Sequence, residues 1–86
     1  MNNKKDNAIL SIPQITSLID ICATAEVKYQ QRSREAAKAR SEEVEPDVQR
    51  ALEKWYSHNE HMVIAAKELK HLFTLLLEQE TAKMEE

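Results

Sequence analysis

Glycine is absent from this 86-residue chain, proline occurs twice, cysteine once, and Phe, Trp and Tyr together supply only four side chains. Each shortage excludes something. Average usage of about 7% Gly would give roughly six, and without any glycine the chain has no P-loop, dinucleotide fingerprint, nucleophile elbow or tight hairpin turn. A lone Cys22 cannot close an intramolecular disulfide. No basic start leads into an apolar run with a small-residue cleavage site, so a reducing, cytoplasmic setting is the expectation. No apolar stretch approaches the ~20 residues that span a bilayer, which argues against a membrane partner.

Twelve Lys and Arg against fifteen Asp and Glu leave a net charge of -3, which argues against broad electrostatic binding to nucleic acid or anionic lipid. Apolar residues make up 42% of the chain, but ten of them are alanine, so a core built from one copy is thin.

What is present is helical. Ser11-Ile12-Pro13-Gln14 announces a start: Ser11 as N-cap, Pro13 in the first turn, Gln14 completing a capping box, and Leu10 with Ile15 as a hydrophobic staple. Ile15, Leu18, Cys22, Ala25, Tyr29, Arg32, Ala36 and Ala39 then recur 3 and 4 apart, which predicts a helix over about 12–43. Pro46 and the acidic cluster before it predict a turn near 43–46. A second seam through Val48, Leu52, Trp55, Asn59, Met62, Ala66, Leu69, Phe73 and Leu76 predicts a helix over about 46–82. Residues 1–10 read as a flexible segment ending at Ile9 and Leu10, and 83–86 as a frayed acidic tail.

The expected fold class is therefore all-α, an antiparallel helical hairpin. A tight turn gives a register in which facing positions total about 88, setting Arg32 over Trp55 and Tyr29 beside Asn59 as a buried polar pair. The competing architecture is one long helix kinked at Pro46 and paired with a second chain.

Apolar side chains exceed one seam: Ile19, Ile21, Val27, Ile64, Leu72, Leu75 and Leu77 fall outside it. Assembly into a homo-oligomeric helical bundle, a dimer or higher, is the expected remedy, with Ile64, Leu69, Leu72, Phe73, Leu75 and Leu76 as the oligomer or partner interface. The alternative occupant is another protein that receives the helix in a groove.

Chemistry is harder to find. His58 and His61 are i, i+3 and His71 lies ten residues on, but three or four donors do not converge, so no metal site is expected. Cys22 lies among Ile19, Ile21 and Ala25 with no activating cation. Glu42 with Glu43, and Glu78 with Glu80, lack an apolar pocket to raise one pKa. No catalytic residue, cofactor or metal is assigned, and the chain is not expected to be an enzyme.

One charged feature stands out. Lys28, Arg32, Arg34, Lys38 and Arg40 against Glu35 give +4 within thirteen residues. With Tyr29 as a stacking surface, these form the candidate site for an anion, a nucleotide or RNA. Two functions result: a non-enzymatic homo-oligomeric interaction protein (adaptor, chaperone or inhibitor, of the kind found among accessory proteins of bacteria and phages), or a binder of an anionic ligand through the basic stripe.

Overall fold

In a computed structural model, residues 10–85 are described, as two helices packed against each other: α1 (Ile12–Glu42) and α2 (Pro46–Glu85). The hairpin measures 61 × 25 × 14 Å, two helices wide and one helix thick. Residues 1–9 of the expected N-terminal segment, and Glu86, lie outside the described residues; Leu10 is half-buried.

The start of α1 follows from its sequence. Ser11 accepts from the Gln14 backbone N–H at 3.3 Å, and the Gln14 side chain accepts from the Ser11 N–H at 2.8 Å, closing the capping box. The end of α1 is shaped by the missing glycine. A left-handed cap is costly for any other residue, and no described residue has positive φ. The chain instead leaves the helix extended at Glu43 (φ -87°, ψ 139°). Pro46 then opens α2, where its missing N–H costs nothing.

The three-residue link lies along the first turn of α2. The Gln49 side-chain amide donates to the Glu43 carbonyl, and Glu43 accepts the Glu45 N–H on its own carboxylate at 3.1 Å. The start of α2 therefore projects past the end of α1. At its far end α2 continues through Glu85, beyond the expected stop near 82, with Lys83 donating to Glu80 at 3.1 Å across the last turns.

This geometry corrects the expected register. Lys70 pairs with Glu26 at 2.9 Å, Ser33 donates to the Glu60 carboxylate, and Arg40 lies 4.0 Å from Glu53 and 5.3 Å from the Tyr56 ring centroid. Facing positions thus total 93 to 96 instead of 88. The link that runs back along α2 accounts for part of the difference. The rest is the tilt of helical side chains toward their own N-terminus, so that touching residues each sit about one position beyond the level at which they meet.

Two expected pairs are consequently not formed. Arg32 lies over Tyr29 of its own helix, 5.4 Å from the ring centroid, while Trp55 stacks on His58 at 5.7 Å. Asn59 is fully buried, but its amide donates to the Trp55 carbonyl at 2.7 Å and its side-chain oxygen has no partner.

The seam is also rotated by one position at alternate steps. Ser33 and Val63 are buried where Arg32 and Met62 were expected, and the ion pair places Lys70 where Leu69 was expected. Ile15, Cys22, Ala36, Asn59 and Ala66 are buried as the seam requires. The rotation carries the Arg32 guanidinium to the edge, where it stays partly hydrated and a buried unpaired charge is avoided.

Candidate functional site

The rotation leaves a second row on each helix, one position before the buried seam. On α1 it runs through Leu18, Ile21, Ala25, Lys28 and Arg32; on α2 through Trp55, Met62, Ala65, Leu69, Leu72 and Leu76, spaced 3 and 4 apart or their sum. An antiparallel pair has an approximate two-fold axis normal to the plane of its helices. That axis exchanges the helices without exchanging the two broad faces, so rows with the same offset from the seam share one face.

At the observed register Leu18 lies level with Leu76, Ile21 with Leu72, and Ala25 with Leu69. Ile21 is 61% exposed, Leu72 58%, Leu69 46% and Trp55 46%; Leu18, Met62 and Leu76 are half-buried. Near the start of α1 this face is dimpled by an open groove of about 420 Å³ lined by Leu10, Gln14, Leu18 and Ile21.

The seam offers a contrast. Among the described residues the only large aliphatic side chain that is fully buried is Ile15. Much of the remaining contact between the helices is small or polar: Cys22, Ser33 with Glu60, Glu26 with Lys70, Ala36 and Asn59. The seam also takes Val63 and, half-buried, Ile19, Leu52, Phe73 and Leu77, while Leu18, Ile21, Met62, Leu69, Leu72 and Leu76 lie on the row beside it.

Of the six residues expected at an interface, Leu69, Leu72 and Leu76 lie on this face, and Phe73 turns half-buried toward the seam. Ile64 and Leu75 are exposed toward the outer side of α2, about 140° and 120° around the helix from Leu69 but only about 80° and 60° from Leu72. Ile19 and Leu77, expected outside the seam, are half-buried. Sequence reasoning placed Leu18, Trp55 and Met62 inside the seam. The missed signal is that two 3–4 repeats overlap, offset by one residue.

The basic residues do not gather. Lys28 and Arg32 border the apolar face, whereas Arg34, two positions from Arg32, points about 200° away around the helix, followed by Lys38. Arg40 is engaged at the seam by Glu53 and Tyr56, and Tyr29 is half-buried beneath Arg32.

His58, His61 and His71 are exposed, and among the described residues no group of three or more His, Cys, Asp or Glu is placed to hold a metal ion. Cys22 is buried and free. Among the described residues no helix is long and apolar enough to cross a membrane. Comparison of the chain with protein-family models, curated proteins and solved structures finds no match.

Proposed function

We propose that this chain is a non-enzymatic interaction protein that works by protein–protein binding, assembling through its open apolar face into a homo-oligomeric helical bundle. The single observation that carries the reading is the distribution of aliphatic bulk. Leu18, Ile21, Met62, Leu69, Leu72 and Leu76 flank a seam whose own fully buried members are few and partly polar. A helical layer is stable when its apolar stripe is covered by another layer, and a hairpin one helix thick supplies no such cover for either broad face. An adaptor, chaperone or inhibitor needs no chemistry beyond such a surface.

The basic run supports an anionic-ligand reading less well, because Arg32 and Arg34 point to different sides and Arg40 is already paired. Two substitutions test the interaction reading together. Leu69→Asp, on the exposed face, is expected to reduce the light-scattering mass to that of one chain while helical circular dichroism is retained. Phe73→Asp, turned toward the seam, is expected to lose mass and helicity together. An associated mass unchanged by Leu69→Asp rejects this face as the interface.

A further inference from the structure

The broad face has a direction as well as an area. Its tail half, at the levels of Leu69 to Leu76, is aliphatic on both helices. Its turn half carries Lys28, Arg32, Glu35 and His58 among Met62, Trp55 and alanines. Between Trp55 and Leu76 it is about 30 Å long, and across two helices about 20 Å wide. That flat footprint of roughly 600 Å², before the corrugation of side chains is counted, approaches the ~800 Å² per partner of a stable protein interface.

Resting on the interaction reading above, we infer that the occupant of this face is a second copy of the chain, related by a two-fold axis parallel to the helices so that the two turns lie at the same end. This operation stacks α1 of one copy over α2 of the other at unchanged level. Ala25 then meets Leu69 of the second copy and Ile21 meets Leu72, small or branched against large. Glu35, which accepts from the Gln31 side-chain amide at 3.3 Å within its own helix, meets His58 of the second copy, a further hydrogen-bonding partner for its carboxylate. The stems of Lys28 and Arg32 lie over Ala65 and Met62 with their charged ends at the rim.

The other two-fold arrangement, with turns at opposite ends, stacks α1 on α1 in reverse. At full overlap it sets Arg32 on Ile21 and Leu18 on Glu35, placing charges against aliphatic groups without partners. Sliding the copies until only the tail halves overlap removes that conflict but reduces the footprint to about half, far below the size of a stable interface.

The test is a spin-label distance measured on a sample of known mass. Val44 lies in the link and is 86% exposed, so Val44→Cys in a Cys22→Ala background reports the separation of the two turns. Val44→Cys alone, with Cys22 left buried, guards against loss of folding in the double variant. The expected result is a mass twice the 10.0 kDa of one chain and a label separation under about 30 Å, for helix layers about 10 Å apart. A doubled mass with labels about 70 Å apart, as 1.5 Å per residue requires for the slipped arrangement with opposed turns, overturns this inference and leaves the interaction reading standing. A mass of one chain at every concentration overturns the second copy and the self-assembly reading together.

Discussion

Leu72→Ala is the perturbation whose size the structure allows to be worked out. Leu72 is 58% exposed in the hairpin, so folding of one copy leaves a little over half of its side chain to be buried on association. Complete burial of a leucine is worth about 1.5–3 kcal/mol, which leaves about 1–1.5 kcal/mol for each copy at the interface. A two-fold assembly contains the residue twice, so Leu72→Ala weakens the dimer by about 2–3 kcal/mol, or roughly 30- to 150-fold in Kd at 1.4 kcal/mol per tenfold. Any void left at the interface adds to this. By the same conversion the hairpin itself, which buries about two-fifths of Leu72, is expected to lose about 0.6–1.3 kcal/mol. Sedimentation velocity across a concentration series, with helicity followed in parallel, measures both quantities. A Kd shift below about threefold, or a loss of helicity that accompanies dissociation, refutes the reasoning.

Three further substitutions test the internal account. Asn59→Leu removes a buried acceptor that has no partner and is expected to raise stability by about 1–2 kcal/mol in chemical denaturation; a decrease would mean that overpacking outweighs the relieved polar group. Ser11→Ala deletes the capping box and is expected to cost about 1 kcal/mol, read as a lower melting temperature that Ser11→Asp restores. For Glu26 with Lys70, where Lys70 is more than a third exposed, a double-mutant cycle with Gln and Met is expected to give a coupling of about 0.2–1 kcal/mol that diminishes with added salt; a coupling insensitive to salt would show the pair to be effectively dry.

The fold was legible because its signals are local. Ser11, Pro13 and Gln14 mark one helix start, and Pro46 marks the other, so the ends of α1 and the start of α2 lie within a residue of their expected places. Where α2 ends was less legible, since the acidic tail suggested fraying while Lys83 and Glu80 continue the helix.

The register was not legible, because it depends on the path of the link. Nothing in the spacing of Val48 or Leu52 says that Gln49 will hold the Glu43 carbonyl and carry α2 past the end of α1. The choice between two overlapping 3–4 repeats depends equally on tertiary balance. Counting apolar residues favours Leu18, Met62 and Leu69 for the seam, but that choice also buries Arg32, and the helices instead close on Ser33, Val63 and the Glu26–Lys70 pair. The surplus of apolar side chains was visible from composition; that Ile21 and Leu72 of that surplus share a broad face with Leu18, Met62, Leu69 and Leu76 required the rotated seam.

Native mass spectrometry of the purified chain tests the central claim most directly, because it reports subunit number and any retained ligand in one spectrum. The expected spectrum is that of a folded assembly at an integer multiple of 10.0 kDa, two copies first, with no added mass. A folded single chain at all concentrations contradicts it, and so does a reproducible excess of a few hundred daltons, on the order of one bound nucleotide, that disappears with Arg32→Glu and leaves subunit number unchanged.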